Sequence, residues 1–137
     1  MTSPNFVQCE IRADLPATLE AAEAFVAEFR QRREFHLEQG QSFAVELLLR
    51  EALTNAVHHG CHHDPAMQVH CSLRLRGSRA LIVVVDDGNG FDWRGARDHP
   101  ATFSDCSGRG IQILRKYGNR VRFNERGNAV TIIKRLC

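Results

Sequence analysis

Two strand-like runs joined by a two-residue turn constrain the fold of this chain more than any other feature. The runs are "MQVHCSLRLR" and "RALIVVVDD", and the Gly77-Ser78 pair between them is typical of a tight β-hairpin. The second run is richer in β-branched residues, so we expect it near the centre of the sheet. A second hairpin is predicted in "NRVRFNERGNAVTIIKR", turning near Gly127-Asn128. Hairpins pair their strands antiparallel, so the sheet is predicted to be mostly antiparallel.

The remaining patterns predict one more strand and three helices. "FVQCEIRAD" alternates apolar and polar residues as a first strand does, and a helix is predicted from near Pro16 to about Phe35. A second helix is predicted from about Gln41 to Gly60, with Gly60 as its C-terminal cap. "GRGIQILRKYG" predicts a short third helix. The fold class is therefore α+β: a two-layer α/β sandwich with helices on one face of a mixed, mostly antiparallel sheet.

Length and composition limit the classes of protein that the chain can represent. We expect its 137 residues to form one domain, 1–137, and the formal net charge of +2 is too small to predict a nucleic-acid or membrane partner. Five scattered cysteines without C-x-x-C spacing and the lack of a signal-peptide pattern predict a reduced, cytoplasmic protein. The longest apolar run, "ALIVVV", is too short to span a membrane.

The second predicted helix carries polar residues beside its apolar face. On a helical wheel Glu51 and Asn55 fall about 40° apart on the edge of the stripe that is expected to be buried. That stripe consists of Val45, Leu48, Leu49, Ala52 and Ala56. A buried amide and carboxylate need partners, which a bound ligand or metal would supply. Alternatively, Glu51 is solvated and Asn55 bonds to the backbone, and the helix alone does not decide between these interpretations.

Two glycine-containing motifs follow downstream. In "VVVDDGNGF" a strand ends in two acids, and Gly88 and Gly90 would let a ligand approach the main chain. In "SGRGIQIL", Gly108 and Gly110 precede a helix whose exposed amides could bind phosphate. Each motif also has a plain interpretation, as a turn or as tight packing at a helix start. The irregular segment 90–108 between them has the length of a binding loop or lid.

Taken together, E-x-x-x-N on a helix, D-x-G-x-G after a strand and G-x-G at a helix start resemble one known fold. It is the Bergerat-type ATP-binding fold shared by gyrase, MutL, heat-shock chaperones of the ninety-kilodalton class and histidine kinases. "REALTNAVHHG" is similar to the corresponding stretch of the bacterial anti-sigma factor serine/threonine kinases, which are free-standing domains of this length. The resemblance implies a kinase that binds a sigma factor, phosphorylates a STAS-type anti-sigma factor antagonist and commonly forms a homodimer. It implies no direct contact with nucleic acid or membrane.

The resemblance also implies roles for individual residues. Asn55 would hold Mg²⁺ against the triphosphate of ATP, Glu51 would activate the attacking hydroxyl, and Asp86 would recognise adenine. His59 falls where that family often has a histidine. The residues implied at the nucleotide and its phosphates are Gly88, Gly90, Gly108, Arg109 and Gly110, with Arg97 and Lys116 as further phosphate candidates.

Alternative interpretations concern both the histidine cluster and the activity. His58 and His62 in "HHGCHHD" would form an i, i+4 metal pair if the helix continued, but the glycine predicted to end it argues against that site. For the activity, the alternatives are an ATP-binding interaction module with little or no kinase activity and a detached catalytic domain of a histidine kinase.

Overall fold

The computed structural model describes residues 7–32, 35, 37–88 and 113–136 of the chain. Its first half runs through β1 (Val7–Pro16), α1 (Leu19–Gln31) and α2 (Gln39–Asn55), and α2 continues into a π-helical turn (Ala56–Gly60). Four strands follow, β2 (Gln68–Arg76), β3 (Arg79–Asp86), β4 (Arg120–Phe123) and β5 (Ala129–Arg135), with a helical turn at 113–117 before β4. No described helix is long and apolar enough to span a bilayer.

The five strands form one open sheet in the order β1-β2-β3-β5-β4. Every described pairing is antiparallel, and β3 is the central strand, as its β-branched composition predicted. Both predicted hairpin turns are confirmed: Gly77 and Gly127 adopt positive φ angles of 60° and 76° there. The α+β sandwich predicted from the hairpins is therefore the observed architecture.

Strand alternation gives the sheet two chemically different faces. Along β3, buried residues such as Ile82 and Val84 alternate with half-buried ones such as Leu81 and Val83. The buried side chains point toward the helices and form one core with Leu48, Leu49 and Leu53 of α2. The opposite side of the sheet is called the outer face below.

Helix α1 is shorter than the pattern predicted. Thr18 caps its start by accepting a hydrogen bond from the Ala21 N–H at 3.1 Å, and the helix ends at Gln31 because Arg32 is extended. Phe35, predicted as the last helical residue, lies beyond that end, buried with its ring centroid 5.5 Å from that of Phe29.

The end of the second helix also differs from the prediction. Gly60 does not cap it: the helix widens into a π turn, in which the Cys61 N–H donates to the Ala56 carbonyl at 2.9 Å, and Gly60 is its last residue. The left-handed residues that reverse the chain are His62 and His63, with φ angles of 50° and 60°. The predicted cap at Gly60 is therefore wrong, and its contact with Asp86 supplies the physical reason.

Candidate functional site

Asn55 and Asp86 are the two buried polar side chains among the described residues, each 4% exposed. Helix α2 carries Asn55 on its last turn, and β3 ends at Asp86, so both reach the same end of the sandwich. Both line a cavity between α2, β3 and the β4–β5 hairpin. Its other walls are Ala52, Ala56, Val84, Phe123, Gly127, Asn128, Ala129 and Val130.

The Asn55 side chain makes no hydrogen bond with the described residues, and its Nδ2 atom is fully buried. An unpaired buried donor costs about 1 to 3 kcal/mol, so the position favours a ligand that supplies the missing partner. A phosphate oxygen could accept from the amide nitrogen, and the carbonyl oxygen is of the type that coordinates Mg²⁺. The carboxamide therefore fits a magnesium-bound phosphate group.

Asp86 is a buried carboxylate with one oxygen engaged. Its Oδ1 accepts a hydrogen bond from the Gly88 N–H at 2.8 Å. Burial raises the pKa of Asp86 from 3.8 to about 6, with a contribution from Asp87, while the Gly88 N–H and the Arg126 charge oppose the rise. Its Oδ2 accepts no hydrogen bond from the described residues, so it is available to accept one from an amine of a ligand.

The β4–β5 turn fixes the main chain on both sides of Asp86. The Asp86 N–H donates to the Asn128 carbonyl at 2.8 Å, and Asn128 Nδ2 donates to the Asp86 carbonyl at 3.2 Å. Arg126 reaches the Gly88 carbonyl at 3.4 Å. From the sequence, Asn128 was interpreted only as a turn residue and Arg126 not at all, because their partners lie about 40 residues away along the chain.

Two glycines let the end of α2 and the end of β3 meet. A Cβ atom on Gly60 would lie 2.6 Å from Asp86 Oδ1 and closer still to the other two carboxyl atoms. A Cβ on Gly88 would overlap the Gly60 carbonyl oxygen and lie 2.9 Å from Asp86 Oδ1. Gly60 therefore belongs to the site as the surface against which Asp86 packs, and Gly88 contacts Gly60 and Asp86. Contact of Gly88 with a nucleotide stays a prediction.

Glu51 lies one helical turn before Asn55 and is half-buried, but it is not among the residues that line the cavity. Burial raises the pKa of Glu51, and the neighbouring Arg50 charge opposes the rise. Its carboxylate makes no hydrogen bond with the described residues. The raised pKa suits a proton acceptor, and its role in activating a hydroxyl stays a prediction.

The histidine cluster folds back on itself at the end of α2. His58 Nδ1 and His63 Nε2 are 2.6 Å apart, so the ring that His58 contacts is that of His63, five residues further along the chain. Burial lowers the pKa of His59, and the neighbouring histidines lower it further. Within the described part of the chain, no group of three or more His, Cys, Asp or Glu side chains is placed to hold a metal ion.

Most of the remaining residues predicted to contact the nucleotide or its phosphates cannot be placed in the site. Gly90, Arg97, Gly108, Arg109 and Gly110 lie outside the described residues. Lys116 is exposed on the helical turn at 113–117.

The open volume of the cavity is about 10 Å³, about the space of one water molecule. An adenine ring is much larger, so a nucleotide that enters between Asn55 and Asp86 must separate the walls.

An open five-stranded antiparallel sheet with helices on one face is the architecture of the Bergerat-type ATP-binding fold. A family model of the histidine kinase-like ATPase domain matches residues 12–134. The chain therefore belongs to the histidine kinase-like ATPase domain family.

Among solved structures, the chain is similar to the histidine kinase domain of a blue-light activated histidine kinase from Erythrobacter litoralis. The TM-score is 0.51 at 19% identity, and the match covers 88% of this chain and 61% of that chain. At this identity the likeness concerns the fold. No curated protein matches the sequence.

Proposed function

We propose that this protein is an anti-sigma factor with ATP-dependent protein serine/threonine kinase activity. The observation that carries the proposal is the buried, unbonded Asn55 carboxamide beside Asp86 in one cavity, in a chain of the histidine kinase-like ATPase family. The resemblance described above assigns such an amide and carboxylate to Mg²⁺ and to adenine. The narrower assignment to an anti-sigma factor rests on the similarity of "REALTNAVHHG" to those kinases.

In the proposed mechanism each residue has a separate task. Asp86 accepts a hydrogen bond from the exocyclic amine of adenine through Oδ2, while the Gly88 N–H holds Oδ1. Asn55 provides the carboxamide that holds Mg²⁺, and the ion would neutralise the charge that develops on the phosphates. Glu51 accepts the proton of the attacking serine or threonine hydroxyl as the γ-phosphoryl group of ATP is transferred to that oxygen and ADP leaves. Gly90, Gly108, Arg109 and Gly110 are proposed to contact the nucleotide.

The proposed partners follow from the same resemblance. The protein would bind a sigma factor, phosphorylate a STAS-type anti-sigma factor antagonist and act in the cytoplasm as a homodimer. It would have no direct contact with nucleic acid.

Phosphoryl transfer from labelled Mg-ATP tests the proposal. The purified chain is incubated with candidate antagonist and sigma proteins from the same genome, and the phosphorylated protein and the bound protein are recorded. Asn55→Ala should lose Mg-ATP binding, whereas Glu51→Gln should keep binding and lose transfer. Wild-type transfer by the Glu51→Gln protein would exclude the proton-acceptor role.

Two further functions are distinguished by the same assay. Membership of the histidine kinase-like ATPase family also fits a detached catalytic domain, which would produce acid-labile phosphohistidine on a separate protein. Acid-stable phosphoserine or phosphothreonine would support the proposed kinase. Mg-ATP binding without transfer to any candidate would instead indicate a nucleotide-dependent interaction module.

A further inference from the structure

The outer face of the sheet has an apolar centre on its two middle strands. Leu81, Val83 and Val85 of β3 lie beside Thr131 and Ile133 of β5, and all five are half-buried. Both α1 and α2 pack on the opposite side of the sheet, so neither of these helices covers the outer face. An uncovered apolar area of this kind is typical of a surface that meets another molecule.

Arginines surround that apolar centre. Seven of them point to the outer face, by the alternation and register of the strands, against three acids. The arginines are Arg12, Arg74, Arg76, Arg79, Arg120, Arg122 and Arg135, and the acids are Glu10, Asp14 and Asp87. Since the whole chain has a formal net charge of only +2, positive charge is concentrated on this face.

The three acids of this face are already engaged. Glu10 pairs with Arg74 at 2.5 Å, and Asp14 and Asp87 bond the two ring nitrogens of His70 at 2.7 and 3.0 Å. Five arginines have no ion pair with the described residues. They are Arg12, Arg79, Arg120, Arg122 and Arg135.

The register places like charges side by side. Arg79 lies directly opposite Arg76 on one neighbouring strand and directly opposite Arg135 on the other. Like charges directly opposite each other destabilise a sheet, so folding alone does not favour Arg79 beside Arg135, which have no ion pair with the described residues. An anionic partner on this face would relieve the repulsion.

A groove of about 330 Å³ adjoins the apolar centre. Val83 and Val85 contribute its apolar lining, and Arg12, without an ion pair among the described residues, stands beside them. The groove therefore offers a place for an apolar side chain next to a free positive charge.

From this combination we infer that the outer face is a docking surface for an acidic segment of a partner protein. Apolar side chains of the segment cover Leu81, Val83 and Val85, and its carboxylates pair with Arg12, Arg79 and Arg135. The inference goes beyond the proposed kinase activity, because docking on this face needs neither ATP nor Mg²⁺.

Other occupants fit the same face less well. A single-stranded nucleic acid would use aromatic platforms for its bases, and the described residues of this face include no Phe, Tyr or Trp, while both ring nitrogens of His70 are bonded to acids. A membrane surface would receive protruding apolar side chains, whereas Leu81, Val83 and Val85 are half-buried among exposed arginines. A second copy in face-to-face contact would bring arginines against arginines.

A defined peptide tests the inference in the full-length protein. The probe is a short synthetic peptide of alternating valine and glutamate, and the control peptide has lysine in place of glutamate. With methyl-labelled protein, we expect the Leu81, Val83 and Val85 signals to shift with the glutamate peptide only. Binding of both peptides alike, or of neither, would overturn the inference.

Matched variants distinguish peptide binding by the outer face from a general effect of the protein's net charge. Arg79→Gln with Arg135→Gln should weaken peptide binding about fivefold to tenfold. Arg32→Gln with Arg115→Gln removes the same charge from exposed sites off the face and should leave binding unchanged. Equal weakening by both pairs would indicate a non-specific charge effect and contradict the inference. An RNA oligomer or phosphatidylserine vesicles that shift the same methyl signals more strongly than the peptide would also overturn it.

Urea unfolding and Mg-ATP binding distinguish failure of the docking inference from failure of the proposed kinase function. Arg79→Gln should move the urea unfolding midpoint of the free protein upward, and a lower midpoint would contradict the repulsion within the row. Mg-ATP binding is measured on the same samples. Failure of ATP binding counts against the proposed kinase and not against docking, whereas failure of peptide binding does the reverse.

Discussion

At the scale of single residues, the burial of the Asp86 carboxylate has the clearest energetic consequence. A carboxyl group whose pKa rises from 3.8 to about 6 binds its proton more tightly in the folded protein than in the unfolded chain. Its ionised form therefore destabilises the fold, fully above the folded pKa and not at all below the unfolded one. The shift corresponds to a stability loss of about 3 kcal/mol at most near pH 8.

We therefore expect Asp86→Asn to stabilise the free protein at pH 8, by about 1 to 3 kcal/mol, because the variant buries no charge. Its advantage should shrink as the pH falls through about 6 toward 4, where the wild-type carboxyl group becomes protonated. Urea unfolding at several pH values measures the difference. Asp87→Asn is the neighbouring control: the hydrogen bond from His70 lowers the pKa of Asp87, so that variant should gain no stability.

The same titration should appear in nucleotide binding. If Oδ2 of Asp86 accepts a hydrogen bond from adenine, protonation turns that oxygen into a donor facing a donor. We expect the dissociation constant for Mg-ADP, followed by calorimetry, to rise as the pH falls through about 6. The Asp86→Asn protein should bind weakly with a profile that lacks this step, which corrects for titration of the phosphates. A step of the same size in both proteins would remove Asp86 from adenine recognition.

At the scale of secondary-structure elements, the site depends on how closely the end of α2 approaches the end of β3. Gly60 and Gly88 form that contact, and the left-handed His62 and His63 then turn the chain away. The approach explains why a glycine stands at the end of a helix that it does not cap.

Gly60→Ala should destabilise the protein by about 1 to 3 kcal/mol, since its new methyl group would overlap the Asp86 carboxyl group. It should also weaken nucleotide binding by displacing that group. Gly40→Ala is the matched control on the same helix, where an added Cβ meets nothing within 4 Å. That substitution should stabilise the protein by up to about 1 kcal/mol, as alanine favours helices. Thermal unfolding distinguishes the two, and equal effects would contradict the tight contact at Gly60.

At the scale of the whole molecule, the sandwich has a single covered side. Neighbouring residues of β3 should therefore respond very differently to truncation. Because Ile82 is fully buried under the helices, Ile82→Ala should lower the free energy of unfolding by about 2 to 5 kcal/mol. Val83→Ala on the outer face should cost about 1 kcal/mol or less, because Val83 is only half-buried. Chemical denaturation of both variants measures the asymmetry, and comparable losses would mean that the outer face is covered in solution.

The sequence determined the elements that depend on local patterns. Alternation and turn composition predicted both hairpins, the central position of β3 and the α+β class, because strand period and turn chemistry act over a few residues. The edge position of Asn55 on α2 was also readable, since it follows from helical geometry alone. Helix ends were less predictable: α1 ends at Gln31, four residues before the expected boundary at Phe35, because Arg32 adopts an extended conformation.

Only the tertiary structure decided the environment of those residues. Gly60 contacts Asp86, and Asn128 Nδ2 donates a hydrogen bond to the Asp86 carbonyl, although these residues are distant in sequence. The burial that raises the pKa of Asp86 likewise depends on residues from other elements. The row of Arg76, Arg79 and Arg135 likewise exists only once the register of three strands is set. Local patterns specify which elements form, but burial and charge proximity depend on packing between elements, which no short stretch of sequence contains.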